Sequence, residues 1–176
     1  QFGVQGRPAA LLRFRVDGSG SARGYSYTFG AMPTAFSSAA ASGAVHWSLY
    51  ASFLSDGGPT ITPTSTPVPP TAAPASLLRI GEINILGSDD ADNANLLIAQ
   101  QTVLPQNGTI QSMSFYVASP GGQLRLGIYA DAAGTPGALK AETAAFTPVV
   151  GWNTQAVLTP VSLPAGTYWL AYLPQS

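Results

Sequence analysis

Apolar and polar residues alternate along several short stretches of the chain. The alternation is clearest at 12–16, 45–53, 112–117 and 123–129, where apolar side chains occupy every second position. A period of two predicts β-strands with one buried face. The stretch 166–173, GTYWLAYL, is apolar at most positions and predicts a strand that is covered on both faces. No segment shows a sustained helical period, so the pattern predicts an all-β fold, an antiparallel β-sandwich or jelly roll.

A proline-rich stretch interrupts this pattern. Residues 59–74 read PTITPTSTPVPPTAAP, with six prolines in sixteen residues. Such a segment favours an extended polyproline II conformation that rises about 3.1 Å per residue, which gives a reach on the order of 50 Å. It divides the chain into residues 1–58, a linker at 59–76, and residues 77–176. Linkers of threonine and proline are typical of exported bacterial modules and predict an extracellular or cell-surface location.

The composition narrows the choice of partners. Charged residues make up 9% of the chain and the net charge is −1, whereas an average soluble domain has about 25% charged residues. A net charge this close to zero gives no electrostatic attraction to nucleic acid. No apolar run is long enough to predict a membrane span. The chain has no cysteine, which excludes disulfides and thiolate metal sites. Few charges need to be desolvated when such a surface packs against copies of itself.

The segment 126–172 carries a specific string of motifs. It contains LGIYAD, GTPGALKAETAAF, GWNT and PVSLPAGTYWLAY. These motifs resemble a group of bacterial secreted β-sandwich modules that carry an IY-D-x-x-G-x-P-G-x-L pattern, a following GWN, and a closing L-x-A-G-T-Y-W-L-A strand. The resemblance covers about residues 78–173. It implies a fold and a secreted origin, but these modules do not share one activity.

The resemblance also implies an unusual order of the two halves. In such modules further strands follow the YWLAY strand, whereas here the matching pieces, LLRFRVDGSG, GYSYTFGAMPTAF and GAVHWSLYASF, precede the linker. Residues 77–176 would then be the N-terminal half of a sandwich, and residues 1–58 the C-terminal half. A half sandwich leaves its strand edges unpaired and its apolar face in water.

Three arrangements would complete the sandwich. Residues 1–58 could complete a neighbouring copy head to tail, which propagates into a fibre. The chain could be one unit of a tandem-repeat polyprotein, or a circular permutant with the linker strapped across its own domain. The first arrangement, completion by a neighbouring copy, is our expectation. The donated side would be Leu12, Phe14, Val16, Trp47, Leu49 and Phe53, and the acceptor side Met113, Phe115, Leu124, Leu126, Ile128 and Trp169.

Candidate catalytic residues are few. His46 is the single histidine, and a catalytic histidine would need a nucleophile or carboxylate beside it. No G-x-S-x-G elbow or histidine metal motif accompanies it, and its alternation with Trp47 places it on an outward or interface position. We therefore expect no enzymatic activity.

The acidic stretch GSDDADNAN is the candidate metal site. Asp89, Asp90 and Asp92, with nearby asparagines, offer the oxygen ligands that calcium prefers. The glycine and terminal glutamate of an EF-hand loop are missing, and Asp and Asn also form turns by bonding their own backbone. Calcium is the one cofactor that the sequence suggests.

Aromatic residues offer a second kind of site. Tyr25, Tyr27, Tyr116, Tyr129 and Trp152 could form a platform on which sugar rings stack, with Tyr129 and Trp152 as the candidate polysaccharide-binding residues. The alternative is that these rings fill the core or a seam between subunits. The sequence therefore predicts a structural subunit of an extracellular bacterial filament that binds copies of itself. The alternative is a carbohydrate-binding or adhesion module of a secreted protein.

Overall fold

The computed structural model describes residues 12–56 and 76–175. These residues form β-strands and no helix, so none of them belongs to a helix that could cross a membrane. The strands in the described ranges are β1 (Arg13–Asp17), β2 (Ala22–Ser26), β3 (Ala41–Gly43), β4 (His46–Trp47), β5 (Leu49–Ser55), β6 (Leu77–Gly81), β7 (Ser88–Asp90), β8 (Leu96–Leu104), β9 (Gly108–Ser119), β10 (Leu124–Asp131), β11 (Pro136–Glu142), β12 (Gly151–Leu163) and β13 (Gly166–Pro174).

Two antiparallel sheets pack against each other, which confirms the predicted β-sandwich. Sheet A has the order β4-β1-β9-β5-β6, with β12 also paired to β9 and β7 also paired to β1. Sheet B has the order β11-β10-β13-β8-β2-β3. Strand β9 is central to sheet A, because β12 lies along one edge while β5 and then β1 lie along the other.

The main core lies between the sheets. Phe14 stacks on Phe115 with ring centroids 4.6 Å apart, and Tyr172 of sheet B meets Phe14 edge-on at 5.1 Å. All the predicted donor and acceptor residues contribute to this core except Trp169, with Val16 partly buried at its margin. Each fully buried Leu, Ile or Phe side chain contributes about 1.5–3 kcal/mol.

A second core lies on the other face of sheet B. Residues 27–40 cross this face, and Met32 and Phe36 from that segment pack with Leu97, Tyr129 and Trp169. Strand β13 is therefore buried on both faces, as its continuous apolar sequence predicts. Trp169, expected to line the acceptor side of the main core, belongs to this second core instead.

Strands from residues 12–56 complete the sandwich of the same chain. In the described residues they form five ladders with residues 77–175: β1 with β7 and β9, β2 with β8, and β5 with β6 and β9. Within one chain this is the arrangement expected of the circular permutant, and completion by a neighbouring copy stays a prediction. The Ser55 amide donates to the Ser76 carbonyl at 3.4 Å. The residues on either side of the connecting segment are therefore adjacent, and the segment has no distance to span when the chain completes its own sandwich. The predicted linker at 59–76 lies outside the described residues, apart from Ser76.

Candidate functional site

Three aromatic rings meet on the outer face of sheet A. Trp152 of β12 pairs in register with Tyr116 of β9, and Tyr50 of β5 pairs with Ser114 on the opposite edge of β9. The Trp152 ring centroid is 4.9 Å from that of Tyr50 and 5.6 Å from that of Tyr116. The Arg79 guanidinium of β6 lies 5.0 Å from the Tyr50 ring centroid, a cation–π distance. We call Tyr50, Tyr116, Trp152 and Arg79 the aromatic face.

Strand alternation places these rings on the outside of the sandwich. The neighbours of Tyr50 in sequence, Leu49 and Ala51, are fully buried in the core, and so are the neighbours of Tyr116. Since Tyr50 and Trp152 lie on opposite sides of β9 and still touch, the Trp152 side chain reaches across β9. Ser114 beneath it is fully buried and shares a 2.7 Å hydrogen bond with Thr154.

The sugar platform predicted from the sequence is only partly present. Trp152 and Tyr116 lie together and are partly exposed. Tyr129 is fully buried in the second core, and its hydroxyl donates to the Pro33 carbonyl at 3.0 Å. Burial raises the pKa of Tyr129 well above its usual value. The prediction that Tyr129 contacts sugar is therefore wrong: it does face outward from sheet B, but residues 27–40 cover that face.

Two carboxylates of the acidic stretch are bound to other side chains of the same chain. The Asp90 carboxylate accepts hydrogen bonds from the Trp47 indole at 2.7 Å and from the Asn93 amide. Asp89 forms an ion pair with Arg15 at 3.1 Å. Asp92 has a positive φ of 65°, typical of an Asp in a tight turn. The described part of the chain contains no group of three acidic or histidine side chains able to hold a metal ion, so these three carboxylates do not converge; calcium binding stays a prediction.

His46 bridges the two segments of the chain. Its Nδ1 bonds the Ser19 backbone carbonyl, and its Nε2 lies 3.3 Å from a Glu82 carboxylate oxygen. A cleft of about 320 Å³ beside this pair is lined by backbone and polar side chains, including Gln101 and Thr102. The contact to Ser19 is through the carbonyl and not the hydroxyl, so it does not activate a serine nucleophile.

No family model, curated protein or solved structure matches the chain. The resemblance to secreted β-sandwich modules therefore stays a prediction.

Sequence reasoning missed Gln100, Tyr50 and Arg79. Gln100 is a buried amide in β8 that bonds the backbone of sheet A. Tyr50 and Arg79 complete the aromatic face. The alternation within 45–53 places Tyr50 on an outward position, but its contact with Trp152 depends on the order of strands that are distant in sequence.

Proposed function

We propose that this protein is a structural subunit of an extracellular filament, in which residues 12–56 of one copy complete the sandwich of the next. The observation that carries this proposal is the set of five ladders between residues 12–56 and residues 77–175. The described strands of the donated segment form only two short ladders among themselves, β1 with β4 and β2 with β3. The segment therefore needs an acceptor, either its own or a neighbour's.

The buried side chains of the segment make an uncompleted sandwich unfavourable. Its described residues bury ten apolar side chains, at 0–9% exposure: Leu12, Phe14, Ala22, Met32, Phe36, Trp47, Leu49, Tyr50, Ala51 and Phe53. Withdrawing the segment would expose these side chains together with the acceptor core. Completion by a neighbour restores the same contacts, so the closed chain and the exchanged polymer differ mainly in the connecting segment.

Concentration decides between these two forms. A covalent connection keeps the segment near its own acceptor, at an effective concentration of up to roughly millimolar. Exchange between copies is then favoured where the protein is crowded, as at a secretion site on a cell surface. Because the exchanged interface is heterologous, each copy offers a free segment and a free acceptor, and the assembly grows head to tail.

Paired cysteines test the exchange in the full chain. Ser52 on β5 lies opposite Ser112 on β9, and directly opposed antiparallel residues have Cα atoms about 4.5–5.5 Å apart, within disulfide range. The double variant Ser52→Cys/Ser112→Cys links the donated segment to whichever acceptor holds it. Oxidised filaments should give a ladder of multiples of 18.1 kDa on a non-reducing denaturing gel and one band after reduction.

The matched control links two strands of the acceptor. Ser114→Cys/Thr154→Cys joins β9 to β12, both within residues 77–175, and should give a single band in either form. Electron microscopy of the same samples should show fibres with a regular globular repeat. A single band from Ser52→Cys/Ser112→Cys, together with compact particles at every concentration, would show a permanently closed monomer and overturn the proposal. A ladder that persists after reduction would instead identify a covalent polyprotein.

A further inference from the structure

We propose that the aromatic face is a polysaccharide-binding site that contacts the apolar faces of pyranose rings. This site lies on the outer face of sheet A and does not depend on exchange of residues 12–56. A pyranose ring has C–H groups on its faces and hydroxyls at its edge. It is therefore recognised by an exposed aromatic surface with hydrogen-bonding groups around it.

The rings are held in fixed positions. Trp152 is packed between Tyr50 and Tyr116 at interplanar angles of 57° and 80°. Tyr50 is only 9% exposed and is packed beneath Trp152 and Arg79, whereas Trp152 and Tyr116 keep part of their surface in solvent. A surface whose rings are already ordered loses little side-chain entropy when a ligand binds.

The surroundings favour a carbohydrate over a second copy of the chain. Thr154 is exposed and Ser112 partly exposed on the same face, so hydroxyls flank the rings. Arg79 adds a hydrogen-bond donor. The strand neighbours of Tyr50 are Gly81 and Ser114, and Trp152 and Tyr116 are neighbours of each other, so none of these positions carries a charge. A stable protein interface would need roughly 800 Å² from each partner, whereas the exposed parts of Trp152 and Tyr116, with the flanking hydroxyls, match a ligand a few sugar units long.

Tryptophan fluorescence can report this site selectively. The chain has three tryptophans. Trp47 is 5% exposed and Trp169 is 0% exposed, and the indole nitrogens of both donate to aspartate carboxylates. Trp152 is therefore the tryptophan that acrylamide can reach in the folded protein.

The experiment measures acrylamide quenching of the full chain during titration with cellohexaose, chitohexaose, mannohexaose and xylohexaose. At least one oligosaccharide should protect the accessible fluorescence in a saturable manner. Isothermal titration calorimetry with that oligosaccharide should show affinity about tenfold lower or more for Trp152→Ala and Tyr116→Ala. Trp152→Leu, which keeps apolar volume without an aromatic ring, should lose affinity as well.

Val149→Ala is the matched control. Val149 is 64% exposed and lies three residues from Trp152, so its loss tests for non-specific apolar binding. Affinity should be unchanged in this variant, and all variants should keep the urea midpoint of the parent to within a small shift. Absence of saturable binding, unchanged affinity in Trp152→Leu, or equal losses in Val149→Ala would each overturn the proposal. Self-association that Trp152→Leu abolishes, without oligosaccharide binding, would assign the face to a second copy and overturn it too.

Discussion

Gln100 connects the two sheets from inside the core. Its side-chain oxygen accepts from the Trp47 amide at 2.6 Å, and its side-chain nitrogen donates to the Trp47 and Leu49 carbonyls, each at 3.2 Å. The residue is 3% exposed. The three backbone groups lie where β4 passes into β5, and of these the Leu49 carbonyl also accepts the Glu82 amide. One polar side chain of sheet B therefore fixes the position of β4 and β5, which belong to sheet A.

Replacing Gln100 by leucine should be strongly destabilising. Gln100→Leu keeps the approximate volume but removes the hydrogen bonds to the Trp47 amide and carbonyl, and each buried group left unsatisfied costs about 1–3 kcal/mol. The Leu49 carbonyl keeps the Glu82 amide as a partner. We expect the free energy of unfolding, measured by urea denaturation, to fall by about 2 kcal/mol or more. Gln123→Leu, at an exposed turn, should change it by about 0.5 kcal/mol or less. Similar values for the two variants would mean that water replaces the amide.

Strand β6 ends at a glycine that approaches the backbone of β5. Gly81 has a φ of 102°, and a Cβ atom there would lie 2.5 Å from the Leu49 carbonyl oxygen and 2.7 Å from Leu170. The same carbonyl accepts the Glu82 amide at 2.9 Å. Only glycine combines this conformation with this approach.

Gly81→Ala should therefore weaken the junction between β5 and β6. Strain and overpacking together should lower the free energy of unfolding by about 2–4 kcal/mol. Gly18→Ala is the control, because a Cβ at Gly18 would have no neighbour within 4 Å. Thermal unfolding followed by circular dichroism compares the two. An unchanged midpoint in Gly81→Ala would show that β6 shifts to accommodate the methyl group.

Alternation of apolar and polar residues in the sequence predicts some of the strands and misses others. Strands β1, β5, β9 and β10 fall within or around the alternating stretches. Strand β8 is buried on both faces from Leu97 to Gln100, so it shows no period of two. Strand β12 contains Pro160 and a break in register between Ala156 and Val161, which disrupts the pattern.

The candidate site was harder to predict than the strands, because it depends on which strands become neighbours. The sequence indicates Trp152 and Tyr116 as aromatic candidates, but their contact with Tyr50 requires β12, β9 and β5 to be adjacent in that order. Alternation does not predict the burial of Tyr129, because it indicates which face a residue occupies and not what covers that face. Residues 27–40, which cover it, have no periodic pattern.

In the whole molecule, the two ends of the described chain lie near one turn. The Gln175 amide donates to the Gln123 carbonyl at 2.8 Å, and Arg13 of β1 pairs with Ser119. Gln123 and Ser119 flank the connection between β9 and β10. A short connection from the C-terminal to the N-terminal segment is therefore compatible with the fold.

A permuted chain, residues 77–176 joined by a short glycine-serine linker to residues 1–56, should fold into the same sandwich. Its hydrogen-exchange protection in β5, β9 and β13 should match the parent, because every ladder of the described residues is retained. If the parent forms the proposed filament, the permutant should remain monomeric at the same concentration, since its completing strands are no longer attached through the long proline-rich connection. An unfolded permutant would show that the connection from 56 to 77 is needed for folding.

The adjacency of Ser55 and Ser76 has a mechanical consequence. In an exchanged filament the connection from one neighbour enters each sandwich at Ser55, and the connection to the next leaves at Ser76, so tension would act at a single corner. Pulling there separates β5 from β6 one hydrogen bond after another, instead of shearing the whole ladder at once. Each sandwich would lie to one side of the axis along which the force acts. Such a filament would extend at low force, because the force separates one short strand from its neighbour.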